Sequence, residues 1–190
     1  MFTSLSNTLN RLATRHNLIL FALLFALVFF VFIPFAAKRV ELASGQPTEL
    51  LDMRLGYSNQ QAAVVFESLG EAGRQAYAQF SMSADLIFPL TYGCFFSIGL
   101  TFLHRKQLVE HPARFSPAFL PLLGMLFDYF ENFSLVALMA AFPNLNPAAV
   151  QAASLFTNIK WLFQAASASA FIAGLYLFFF HQRGDTKDQK

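Results

Sequence analysis

Three polar residues stand close together in an apolar stretch: Asp128, Glu131 and Asn132, inside the run 119–142. Positions i, i+3 and i+4 share one helix face. That face therefore carries two acids and an amide where a bare charge costs several kcal/mol in order of magnitude. Such groups turn toward protein, water or a ligand. Two neighbouring carboxyls can also split their proton affinities, which would leave one as a general acid.

The elements around them are membrane-like. Of 190 residues 56% are hydrophobic, 25 are Phe, and 13% are charged, against about 25% charged in soluble domains. Mean hydropathy is +0.47. No single soluble core hides this much apolar surface. A net charge of +2 with no basic stripe argues against nucleic acid as a partner. One cysteine, Cys94, excludes an internal disulfide, a CxxC pair and a cysteine zinc cage. No phosphate-binding, dinucleotide-binding, zincin or nucleophile-elbow motif is present. The chain implies no cofactor and no metal.

The fold class expected is all-α: an integral membrane four-helix bundle, one domain over 1–190, with spans near 17–37, 84–103, 117–142 and 148–180. Residues 1–16 are polar. The apolar run after them is too long for a signal peptide and has no small-residue cleavage site, which favours an uncleaved span. Pro34 falls in its last turn, where a lost hydrogen bond costs least.

The outer segment, 38–82, is polar and amphipathic. Ser58 and Gln61 have capping-box spacing, which predicts a helix from Ser58 that stops at Gly70. Ala62, Val65, Phe66 and Leu69 form its apolar stripe, to lie on the membrane or cap the bundle. A further helix over 71–81 leads into the second span. The third and fourth spans are joined by Pro143-Asn144-Leu145-Asn146-Pro147. Ala165 to Ala170 offer a small-residue patch for close packing.

Four spans place both termini and the 104–115 connector on one side. That side carries Arg11, Arg15, Arg105, Lys106, Arg114, Arg183, Lys187 and Lys190. The other carries Lys38, Arg39, Arg54 and Arg74. The excess marks the first side as cytoplasmic, although Lys38-Arg39 directly after the first span pulls the other way.

Lys160 is the cation expected to meet the acids. In an antiparallel hairpin Glu131 lies 11 residues before Phe142 and Lys160 lies 12 after Ala148, both roughly 16–18 Å in. Asp85, Thr157, Trp161 and Gln164 complete the expected polar core. It reads as a buried ion pair that fixes helix register, as a ligand pocket, or as a proton or ion path. Asp52, Arg54, Tyr57, Arg74 and Tyr77 form a second group. They read as caps and surface ion pairs, or as an outer lid in which Arg54 or Arg74 pairs with Asp85 or a lipid phosphate. His16, His104 and His181 fall at span ends without ligand spacing and read as interfacial histidines.

Asp85-Leu-Ile-Phe-Pro89, Glu131, and Asn158 with Trp161 resemble the emopamil-binding/sigma-2 receptor-like (EXPERA-type) four-helix membrane proteins. That resemblance implies intramembrane acids facing a lipid-sized cavity that binds or isomerises sterols. The cavity histidine of the isomerase branch is missing here. The run from Asp52 through Gly56-Tyr57, Gly73-Arg74, Tyr77 and Asp85 to Tyr92 also resembles bacterial four-span proteins, which implies a bacterial inner (plasma) membrane. The function expected is a polar core that binds a small hydrophobic or lipid-like ligand, or supports a membrane partner. The alternative is an enzyme acting on a lipid, sterol or isoprenoid through Asp128 and Glu131. Membrane lipid, such a ligand, a second copy or another membrane protein are the partners this leaves.

Overall fold

Residues 2–47, 49–104 and 117–185 are described by a computed structural model, without the side chains of 2, 3 and 179–185. Arg105, Lys106, the 107–116 connector with Arg114, and Lys187 and Lys190 lie outside the described residues, as do the side chains of His181 and Arg183. Among the described residues six helices follow one another: α1 (Phe2–Leu12), α2 (Arg15–Ser44), α3 (Asn59–Ser81), α4 (Ala84–Leu103), α5 (Leu120–Ala141) and α6 (Pro147–Asp185). No strand occurs among the described residues. Four stretches are long and apolar enough to cross a membrane: Arg15–Ser44, Asn59–Leu103, Pro117–Ala141 and Pro147–Phe178.

α1 is a helix where the sequence reads only as polar. Its Leu9 packs on Leu100 and Ala118, so α1, the end of α4 and the start of α5 meet at one end of the molecule. The Thr14 side chain then caps α2, accepting from the Asn17 N–H at 3.2 Å. α2 outruns the expected span, ending at Ser44 before the left-handed Gly45. Pro34 is therefore interior, not in a last turn. It has no N–H for the Phe30 carbonyl, and its ring crowds that carbonyl; a wider π turn at Val28–Phe32 takes up the misfit. α2 touches α4 through Phe25, Phe29, Phe88 and Phe95, with centroids 5.4–6.0 Å apart. Its opposite face, including Leu23 and Phe30, is bare.

The capping box at the start of α3 is formed in full. Ser58 Oγ accepts from the Gln61 N–H at 3.2 Å, and Gln61 Oε1 accepts from the Ser58 N–H at 2.8 Å. At Gly70 the backbone reaches φ 63, ψ −178, a glycine region, and the helix breaks and restarts. The stripe Ala62, Val65, Phe66 and Leu69 is buried in a core with Leu135, Leu138 and Val150. The segment thus caps the bundle.

α4 sets the layering. Its 20 residues are about 30 Å long. One end meets Asn132 of α5, and the other meets Ala118 and Gly174. α5 continues past Asn132 and α6 begins well before Lys160. Those extensions pack with α3 instead. The molecule has two layers: one built on α4, and a cap built on α3 and the tip of the α5–α6 hairpin. The acids are not halfway along a shared span. They sit where the layers join, because α5 outlasts α4 by about ten residues, or 15 Å.

Candidate functional site

On α5, Asp128, Glu131 and Asn132 point inward together and are buried, as the i, i+3, i+4 spacing requires. Glu131 forms an ion pair with Lys160 and accepts from the Thr157 hydroxyl at 2.5 Å. The Lys160 ammonium also stands 3.9 Å from Asp128 Oδ1 and lies over the Trp161 ring. Asp128 Oδ2 accepts from the Tyr92 hydroxyl and from Gln164 Nε2, each at 3.2 Å. Asn132 Nδ2 donates to the Asp85 carbonyl at 2.9 Å, with Asp128 Oδ1 farther away at 3.5 Å. The expected Glu131–Lys160 pair is present, and Asp128 shares the lysine.

The loop between α2 and α3 closes over this cluster. Asp52 is buried, its carboxylate held by the Tyr77 hydroxyl and its carbonyl by Trp161 Nε1 at 3.2 Å. The Tyr57 N–H donates to Ser154 Oγ at 2.8 Å. Gly56 has φ +80, and a Cβ there would stand 2.9 Å from Asn158 Nδ2. Only glycine lets the loop seat this closely on α6. The Tyr57 hydroxyl is buried beside Thr157 without a well-formed hydrogen bond, and burial holds it well above the ordinary phenol range.

The arginines follow the first of the two readings, surface ties rather than a lid on Asp85. Arg54 pairs with Glu49 at 3.1 Å. Arg74 donates to the Phe66 carbonyl at 2.8 Å and lies over the Phe142 ring. Both stay in the cap, tying its loops and helix ends together, and neither pairs with Asp85. Asn158 lies off the face of Thr157, Trp161 and Gln164, exposed and against Gly56. Tyr92 and Ser154 belong to the site and were not singled out from sequence. A signal existed: Tyr92 is two turns from Asp85, and Ser154 one turn from Thr157.

Asp128 and Glu131 therefore share one ammonium, with the buried carboxyl groups of Asp52 and Asp85 close enough to interact electrostatically with it. Asp85 is 5% exposed and interacts electrostatically with Asp128, Asp52, Lys160 and Glu131. Its Oδ2 and the Oδ1 of the fully buried Asn132 receive no hydrogen bond from the described residues. Buried acceptors of this kind ordinarily find a donor. Among the described residues no three His, Cys, Asp or Glu are grouped to hold a metal ion. His104 bonds its own helix at the Leu100 carbonyl, 3.0 Å away. A half-open cleft of about 440 Å³ lies beside the loop, between Pro34, Lys38 and Glu41 of α2 and Pro47, Glu49 and Leu50.

In comparisons with known proteins, no family model matches the chain, and no curated protein or solved structure does so either.

Proposed function

We propose that this chain is a multi-pass integral membrane protein whose polar cluster binds a small lipid-like molecule at head-group depth. Support for the depth comes from where each helix changes character. α2 carries no charge over 17–37 and then reads Lys38-Arg39. α4 has none after Asp85, α5 none before Asp128, and α6 none over 161–180. On α2, α4 and α6 those apolar lengths are about 18–21 residues, whereas residues 117–127 before Asp128 on α5 supply 11. A bilayer core needs about 20 residues of helix. The cluster then lies at one edge of the hydrocarbon layer, with Trp161 in the position favoured by interfacial aromatics.

The observation that carries the reading is the pair of buried oxygens, Asp85 Oδ2 and Asn132 Oδ1, that meet no hydrogen-bond partner among the described residues, in a site with several carboxyl groups and one lysine. Asp128 and Glu131 are already held by Tyr92, Gln164, Thr157 and Lys160, which gives the alternative of acid–base catalysis less support. A bacterial inner membrane rests on the resemblance alone. Cytoplasmic termini rest on the basic residues near the ends of the chain.

Lipid analysis of the protein purified in mild detergent tests the reading. One class should be enriched over the bulk membrane, and Asp85→Asn should lose it while keeping its thermal midpoint. Identical, bulk-like lipid on both proteins would refute it. For orientation, an impermeant maleimide on intact cells should label Ser58→Cys and spare Ser4→Cys. The reverse pattern would invert the topology.

A further inference from the structure

We infer that α1 lies along an anionic lipid surface, with Arg11 and Arg15 receiving lipid phosphates. This rests on the membrane-spanning part of the reading above and is independent of what the polar cluster binds.

The level of α1 follows from two contacts. Leu9 is buried in a cluster with Leu100, near the end of α4, and Ala118. Leu18 of α2 stands beside Gly99, its Cδ1 3.3 Å from where a Cβ there would lie. Leu9 and Leu18 would be about 14 Å apart along one straight helix. Here both reach the same turn of α4. The chain therefore turns aside at 13–14 instead of running on into water. Thr14 is extended at this elbow, with φ −111 and ψ 156. The elbow is held: the Ala13 N–H donates to the Leu9 carbonyl at 2.9 Å, and Asn17 Nδ2 donates to the Leu12 carbonyl at 3.0 Å. Ala13 itself is buried.

The faces of α1 sort by chemistry. Leu5, Leu9 and Leu12 stand at i, i+4 and i+7 and share one face. Leu9 fills the side toward the bundle, while Leu5 and Leu12 stay exposed on its flank. α2 then presents Ile19, Leu20 and Leu23, also exposed. Arg11 falls about 200° around the helix from Leu9. This is the pattern of an interfacial helix, with leucines toward acyl chains and long basic side chains reaching head groups.

The charge has one sign. Residues 1–40 hold Arg11, Arg15, Lys38 and Arg39 and no acid. Arg11 and Arg15 are exposed, and neither forms an ion pair among the described residues. The helices beside them offer no carboxylate: α4 has none over 86–103 and α5 none over 120–127. A zwitterionic lipid brings its own ammonium to its phosphate. An anionic lipid leaves that charge for an arginine, whose fork takes two phosphate oxygens at once. A soluble acidic protein would meet the arginines, but it would not cover leucines that stand level with the apolar layer.

The test uses the full chain in nanodiscs of equimolar phosphatidylglycerol and phosphatidylcholine. With Cys94→Ser as background, an environment-sensitive fluorophore is placed on Leu5→Cys or on Asn7→Cys. Lipids spin-labelled near the head group should quench the probe at position 5 strongly and the probe at position 7 weakly. Native mass spectrometry then reads the lipids retained. Replacing both Arg11 and Arg15 by Gln should lower the ratio of phosphatidylglycerol to phosphatidylcholine about twentyfold, on the scale of about fivefold per arginine at an anionic surface. Arg15→Gln alone, at about fivefold, serves should the double variant not fold. Strong quenching at position 5 with a falling ratio supports the inference. Quenching with an unchanged ratio overturns it, because the arginines then hold no phosphate. Absence of quenching at both positions also overturns it and leaves the spans standing. Protein that stays dispersed without detergent or nanodisc would sink the membrane-spanning reading itself.

Discussion

Lys160 holds two acids, and that makes its removal costlier than removal of either partner. In Lys160→Met the carboxylates of Glu131 and Asp128 are left in a buried site without their cation. Breaking a buried pair costs about 3–5 kcal/mol. For a chain of this size, at roughly 2–4 °C per kcal/mol, the midpoint should fall by about 6–20 °C. Glu131→Gln is milder. Lys160 keeps Asp128 3.9 Å away, and the glutamine can still accept from Thr157. Its cost should be about half that of Lys160→Met, near 2 kcal/mol. The double variant leaves neither member of the close pair and should recover at least 1 kcal/mol relative to the sum of the singles, a coupling typical of contacting residues. The single tryptophan, Trp161, reports from inside the site, since its Nε1 donates to the Asp52 carbonyl. Thermal unfolding in detergent, followed by its emission, measures all three variants. Strict additivity would show that the pair carries no coupling. A larger loss in Glu131→Gln than in Lys160→Met would show that Asp128 does not share the lysine.

Other outcomes follow from the same geometry. Gly70→Ala should cost about 1–3 kcal/mol by backbone strain alone, since nothing stands within 4 Å of the added methyl; a neutral result by thermal unfolding would deny the break in α3. Gly56→Ala should lift the loop from Asn158 and shift Trp161 emission to the red, and unchanged emission would mean the loop is not seated there. Tyr77→Phe removes the hydroxyl on buried Asp52 and should cost about 1–3 kcal/mol. Gln151→Cys should react with an aqueous maleimide in proteoliposomes whereas Leu162→Cys should not, although Leu162 is 65% exposed on the bundle; equal labelling would move the membrane level away from Lys160.

Local rules made the helices and one face of the site legible. The capping box at Ser58, the break at Gly70 and the inward face of Asp128, Glu131 and Asn132 all depend on residues within four positions of one another. Counting residues from the hairpin turn also paired Glu131 with Lys160, because a straight helix converts sequence distance directly into depth. What the sequence could not supply was the level at which separate helices stand beside each other. α5 reads as one apolar run, and only its packing reveals that α4 ends at Asn132 while α3 takes over. That sets the acids, still near the middle of α5, level with one end of α4 at the junction of two layers. The loop was equally hidden. Sequence left Arg54 and Arg74 open between surface ties and partners for Asp85, and only the structure gives them to Glu49 and the Phe66 carbonyl. Asp52, Tyr77 and Trp161 meet across 25 and 109 positions of chain. No periodicity links residues so far apart; only the folding of the cap onto α6 brings them together.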